Sequence, residues 1–204
     1  MTDDTRPVSV LPGAHGARAV TTARIPEGKL SVTITYVQML SVPPDTPPPH
    51  RAEAVAILRA DPPTAAYYRF LYDTVGERWL WYERRVLDDN ALRELITADG
   101  VEVYVLYVGG VPAGFVELDR GDVSEVEIAY FGLMPEFIGR GLGPYFLNWA
   151  VRRAWYPAGS DRPDRVWLHT CTLDHPKALA TYQRAGFKVY DRVSVMIDDP
   201  RPFR

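Results

Sequence analysis

Residues 123–149 read VSEVEIAYFGLMPEFIGRGLGPYFLNW. The apolar run 126–134 has the composition of a buried strand, and Pro135-Glu136 supplies a turn. The period then changes. Phe146, Ala150 and Ala154 recur every four residues, with Leu142, Trp149 and Val151 beside them, which is helical spacing. Between strand and helix lies Ile138-Gly139-Arg140-Gly141-Leu142-Gly143. Glycine lets the backbone approach a ligand closely, and the first amides of a helix point outward with the positive end of its dipole behind them. A strand, a glycine-rich turn and a helix start are the parts of a phosphate cradle.

Taken alone, a Gly-x-Gly-x-Gly run also fits a bare tight turn. Its context excludes two common phosphate motifs. No Gly-Lys-Ser/Thr follows, so it is not a Walker A loop. It is a poor dinucleotide fingerprint too: the spacing is not G-x-G-x-x-G, and the turn follows a hairpin meander instead of a first strand. A cradle of another type is favoured.

Upstream, residues 101–108 and 111–118 are β-rich runs joined by Gly109-Gly110, a two-residue hairpin signal. The run at 126–134 is therefore the third strand of an antiparallel meander. Downstream come a loop at 157–163 and a short strand at 165–170. A helix at 176–185 follows, capped by Asp174 or His175 and ended by Gly186. A last alternating strand at 187–197 carries Phe187, Val189, Val193, Val195 and Ile197. Near the other end, residues 30–40 alternate, with Val32, Ile34 and Tyr36 on one face and Thr33 and Thr35 on the other. Prolines at 43–49 make a stiff connector. Residues 51–97 read as helical, broken at Asp61-Pro62-Pro63 and near Gly76, with Asp88 or Asp89 capping the last helix. Residues 64–82 hold seven of the 24 aromatics (12 Tyr, 7 Phe, 5 Trp), a core cluster by default. The order predicts a mixed sheet in the α/β or α+β range, forming one domain over 29–204 behind a loose lead-in at 1–28.

Composition narrows the function classes. With 204 residues and 47% hydrophobic content, one domain has a sizeable core. A net charge of −3 gives no general attraction to nucleic acid or to an anionic membrane. Cys171 stands alone, so no internal disulfide forms. The N-terminus lacks an apolar signal segment, and no apolar run approaches the roughly 20 residues that span a bilayer. A cytoplasmic location, with no nucleic acid or membrane partner, is the expectation.

Two segments now carry a resemblance. The glycine turn matches Arg/Gln-x-x-Gly-x-Gly/Ala after a fourth strand. Residues 175–187, HPKALATYQRAGF, match Asn-x-x-Ala-x-x-x-Tyr-x-x-x-Gly-Phe. In this order the two motifs resemble the GNAT superfamily, the Gcn5-related N-acetyltransferases. The resemblance covers about 29–200 in element order and 123–187 at motif level. It implies the GNAT acyl-CoA N-acyltransferase fold, a central, mostly antiparallel sheet flanked by helices. It also implies acetyl-CoA as the cofactor, its pyrophosphate on the glycine turn. Contacts to it are expected from Leu133, Met134, Gly139, Arg140, Gly141, Gly143, His175, Ala178 and Tyr182. Three positions depart from the pattern: Ile138 stands for Arg or Gln, Pro144 removes one amide donor, and His175 stands for Asn.

The chemistry implied is direct transfer of an acetyl group to a primary amine of a small molecule or peptide. A free alkylamine has a pKa of about 10.4 and must lose a proton first. Glu127, in an otherwise apolar strand, is the candidate base and matches the strand-four glutamate of Gcn5-like members; Glu125 on the same face is its rival, and a plain solvated face is the bland reading. Tyr182 is the candidate acid, against the alternative of a core tyrosine. A backbone amide near Leu133 would polarise the carbonyl. His169-x-Cys171-x-x-x-His175 superficially suggests zinc ligands, but packing and capping account for it better, and no metal is expected. Cys171 is not expected to act as a nucleophile. The family also implies that the early helices wall the acceptor site, and homodimers are common in it. Two rival functions remain: a CoA-binding sensor or partner-binding module without turnover, and a nucleotide-binding protein with affinity for NAD or ATP.

Overall fold

The computed structural model describes residues 25–44, 54–122, 124–157 and 162–201. Most of the expected lead-in, most of the proline connector and half of the loop at 157–163 lie outside the described residues. The chain order is β1 (Lys29–Met39), β2 (Val55–Ala60), α1 (Ala65–Gly76), α2 (Asp89–Ile96), β3 (Val101–Val108), β4 (Val111–Asp119), β5 (Glu125–Leu133), α3 (Leu142–Trp155), β6 (Arg165–Cys171), α4 (Ala178–Arg184) and β7 (Lys188–Asp198). The strands form one seven-stranded sheet in the order β2-β3-β4-β5-β6-β1-β7. Every described pairing is antiparallel except that of β5 with β6. The mixed sheet and flanking helices expected from the sequence are therefore present.

The meander forms for the reason its turn predicts. Gly109 and Gly110 both take positive φ, 58° and 84°, which a two-residue turn matched to strand twist demands. The order also holds a feature that element counting does not show. β1 lies between β6 and β7, antiparallel to both.

One expectation fails. Residues 51–97 are not helical throughout, because Val55–Ala60 is a strand paired with β3 from Val55↔Val108 to Ala60↔Val103. A six-residue run with five apolar members and Arg59 is ambiguous by period, and an open edge of β3 decides it. Past α1 the chain makes only a 3-10 turn at Glu77–Trp79 before α2. The expected break near Gly76 has a packing cause: a Cβ there would sit 2.5 Å from the Trp81 ring. Asp88 caps α2 by accepting from the amides of Asn90 and Ala91. α4 starts later than expected, with Lys177 as an N-cap that makes no side-chain bond. His175 instead accepts the Lys177 amide through Nδ1 (3.0 Å). Asp174 is drawn back to β6, accepting from the Thr170 hydroxyl (2.7 Å) and the Cys171 amide (2.9 Å).

Two cores lie on opposite faces of the sheet. α3 packs Phe146, Leu147 and Ala150 against Val126, Ile128 and Leu168. On the other face α1 and α2 pack Tyr68, Leu71 and Leu92 against Val103, Val105 and Phe115, so part of the aromatic cluster is core, as expected by default. The buried strand members of this second core come from β3 and β4. Val32 and Ile34 of β1 are buried yet belong to neither core. Among the described residues, no helix is long and apolar enough to cross a membrane.

Close packing gives a direct test. A Cβ at Gly114 would lie 2.4 Å from the backbone oxygen of Gly132 on the neighbouring strand. Backbone cannot swing aside as a side chain can. Gly114→Ala is expected to lower stability by about 1–3 kcal/mol, read in thermal unfolding as a Tm loss of about 2–4 °C per kcal/mol.

Candidate active site

β5 and β6 pair only at Glu125↔Arg165, Val126↔Val166 and Glu127↔Trp167. Beyond Glu127 the strands part. On its other edge β5 stays with β4, but the register slips: Leu118 faces Ile128 while Glu117 faces Tyr130, leaving Ala129 as an extra residue. Such a bulge bends its strand. The wedge between the parted strands holds a cavity of about 440 Å³, within the size range of small-molecule sites.

The glycine turn forms one rim. Gly139 and Gly141 take φ of 84° and 71°, the region glycine adopts at little cost. Gly141 is the N-cap of α3 and no side chain caps the helix. The amides of Leu142 and Gly143 thus begin a helix whose dipole end faces the rim. Gly139, Gly141 and Gly143 line the cavity, and so do Lys177 and Arg184. At Gly139 nothing lies within 4 Å of an added Cβ. A helix start with no side-chain cap, open space at Gly139 and two cations fit a pyrophosphate.

Of the residues expected from the sequence, Glu127, Leu133, Gly139, Gly141, Gly143, His175, Ala178 and Tyr182 line this one cavity. Met134 and Arg140 are not part of the lining. Met134 is buried in the second core and donates its amide to the Ala113 carbonyl (2.9 Å). Arg140 lies over the Phe137 ring, 4.9 Å from its centroid. Successive strand amides point to opposite edges, so the Leu133 amide points away from β4, toward the wedge.

Glu127 and Glu125 part company in this geometry. Glu125 accepts from Arg165 Nη1 at 2.8 Å and does not line the cavity. The Glu127 side chain is 17% exposed, with Oε1 3.4 Å from Nδ1 of His169. The sequence reading dismissed His169 as packing, yet it lines the cavity beside the candidate base. The period-two rule held the signal: Trp167 is level with Glu127, and His169 is two residues on, on the same face. Burial alone would pull the imidazole pKa down. The bond and charge of Glu127, with Glu83 and Asp174 behind them, outweigh it, so the pKa is raised above 6.5.

Tyr182 sits across the wedge, 8% exposed and edge-on to Phe131 and Phe187. Burial first and the Asp174 charge second push its pKa up, so the phenol keeps its proton. The Cys171 thiol is pushed up to about 11, mainly by burial, which leaves little thiolate at neutral pH. Glu83 also faces the cavity, where its carboxylate accepts from Tyr72 (3.1 Å) and Tyr130 (3.5 Å). Nothing local in the sequence marked it. Among the described residues, no group of three or more His, Cys, Asp or Glu could hold a metal ion.

A mixed sheet whose central parallel pair parts beside an uncapped helix N-terminus is the acyl-CoA N-acyltransferase architecture. Residues 61–187 match the model of the acetyltransferase (GNAT) family, and the chain belongs to that family. Solved structures agree in fold. One is a GCN5-related N-acetyltransferase from Sphaerobacter thermophilus, with TM-score 0.58 and 19% identity over 85% of this chain and 56% of that one. Another, from Kribbella flavida, has TM-score 0.52 and 17% identity over 85% of this chain and 60% of that one. The chain thus spans less than two thirds of the length of either. An aminoglycoside acetyltransferase from an uncultured soil metagenomic sample, solved with trehalose, has TM-score 0.51 and 14% identity over 65% of this chain and 87% of that one. No curated protein matches the sequence.

The Glu127–His169 contact makes a measurable prediction. A folded-state imidazole pKa above the unfolded value of about 6.5 means that the pair's stabilisation is fully present below that pH. It is lost as pH rises through the folded value. NMR titration should place the His169 midpoint above 6.5, and Glu127→Gln should move it down.

Proposed function

We propose that the protein is an acetyl-CoA-dependent N-acetyltransferase that passes the acetyl group directly to a primary amine of a small molecule or peptide. The observation that carries this reading is the placement of Glu127–His169 and Tyr182 in one cavity rimmed by the glycine-rich start of α3. Gly139, Gly141, Gly143, Lys177 and Arg184 would hold the pyrophosphate, and His175 and Ala178 would flank the pantetheine arm. Bound acetyl-CoA supplies a thioester carbonyl.

The residues then divide the work. Glu127, with His169 beside it, takes a proton from the acceptor ammonium, directly or through water. The amine nitrogen attacks the carbonyl carbon, forming the C–N bond. The Leu133 amide donates to the carbonyl oxygen as charge builds there. The C–S bond breaks as Tyr182 gives its proton to the leaving sulfur, a role suited to a phenol that stays protonated; the second proton, which the nitrogen sheds as the amide forms, returns the phenolate to phenol through solvent. No acyl-enzyme is needed, in keeping with a Cys171 thiol held protonated. A cytoplasmic site of action suits a chain with a single cysteine.

Calorimetry with acetyl-CoA, CoA, NAD and ATP tests the binding half. Heat with the first two and none with the last two is expected; affinity for NAD or ATP alone would restore the nucleotide-binding reading. Steady-state acetylation tests the rest. Glu127→Gln should lower kcat/KM by about 10²–10⁴-fold. Tyr182→Phe should lower kcat while leaving acetyl-CoA affinity close to its parent value. Tight CoA binding with no turnover of any amine would favour a sensor instead.

A further inference from the structure

The cavity continues past Glu127 and His169 onto a face of the sheet that α1 and α2 do not cover. Its floor comes from the two strands at that end. Val32 and Val195 are directly paired across β1 and β7, and Ile34 and Ile197 lie two residues away on the same face. All four line the cavity, as does Leu80. Val32 and Ile34 are each only 3% exposed, although neither belongs to a core.

The cavity also has charged and polar lining groups, Asp119 and the half-buried Tyr82 among them. Glu83, Glu127, His169 and Asp174 line the cavity, and Trp81 and Tyr130 stand beside them with ring centroids 5.1 Å apart. Arg84 also lines it, but its guanidinium is committed to Glu117 at 2.8 Å. The acceptor region therefore has a carboxylate-rich, aromatic end next to the base and an apolar floor beyond it. Carboxylates and ring faces attract an ammonium. An apolar floor offers no partner to a hydroxyl or a second ammonium, and burying either unpaired is costly. A volume of about 440 Å³, shared with the reacting end of the donor, suits a small body.

We propose that the acceptor is a small primary amine carried on an apolar or aromatic body, with its ammonium between Glu83 and Glu127 and its body on the shelf formed by Val32, Ile34, Val195 and Ile197. This deepens the N-acetyltransferase reading and rests on it. All four floor residues lie outside the family-matched segment 61–187.

The test uses the full chain with acetyl-CoA and three acceptors: 2-phenylethylamine, spermidine and kanamycin. The expected kcat/KM for 2-phenylethylamine exceeds that for either polar amine by about 10-fold or more, the scale on which an apolar pocket discriminates. Val195→Thr keeps the shape and adds a hydroxyl to the floor. It should raise KM for 2-phenylethylamine several-fold with kcat little changed, while Glu127→Gln lowers kcat for every acceptor. Acetyl-CoA affinity, measured by calorimetry, separates the two levels. A chain that binds acetyl-CoA but acetylates spermidine or kanamycin as well as 2-phenylethylamine, or acetylates none of the three, overturns the apolar acceptor alone. A chain that does not bind acetyl-CoA overturns the acetyltransferase reading and this inference with it.

Discussion

The site depends on one missing set of hydrogen bonds. β5 and β6 run parallel for three registered pairs and then separate. Unpaired strand edges are expensive when buried and hazardous when exposed. Here the gap is stabilised from outside. The bulge at Ala129 keeps β5 on β4 while bending it away, and α3 starts where β5 ends, so its dipole faces the opening. Glu127 is the last β5 residue in register with β6. It therefore stands at the apex of the wedge, where the two strands begin to part.

The segment between α1 and α2 needs a different explanation, because it faces the cavity without regular secondary structure. Side-chain bonds replace the ladder. Arg84 reaches Glu117 on β4 at 2.8 Å, and Tyr68 donates to the same carboxylate. Arg69 bonds the carbonyls of Arg84 (3.3 Å) and Leu87 (2.6 Å). Glu117 is 1% exposed, so removing its positive partner would strand a buried charge, a loss of about 3–5 kcal/mol. This network fixes the segment that carries Trp81 and Glu83. A polar core on the helix side thus shapes the wall of the acceptor region.

What could be read from the sequence follows the range of the interaction responsible. The Gly109-Gly110 hairpin, the glycine turn with α3, and the spacing of His175, Ala178 and Tyr182 are local patterns and stand where expected. The strand Val55–Ala60 was illegible because so short a run, five apolar residues and Arg59, fits either period, and only the free edge of β3 chose. Met134 and Arg140 were assigned to the cofactor by motif position, but a strand amide has a side, and that of Met134 faces Ala113. Glu83 and His169 reach the cavity only through tertiary packing. For His169 the strand register would have sufficed; for Glu83 no local pattern would.

The position of β1 joins these threads. Where β5 leaves β6, residues 168–171 would have no strand on that side. β1 pairs with β6 on its other edge through Ile34↔Cys171, Tyr36↔His169 and Val37↔Leu168, and so holds the free arm of the wedge in place. The ring of Tyr36, 5.9 Å from that of His169, helps fix the imidazole beside Glu127. The same strand turns Val32 and Ile34 to the cavity. A segment outside the family-matched residues 61–187 thus both braces the catalytic arm and supplies the acceptor floor. On the proposed roles, cofactor and acceptor would be held by different parts of the chain, so substitutions at Val32 or Ile34 would retune the acceptor without touching the glycine cradle.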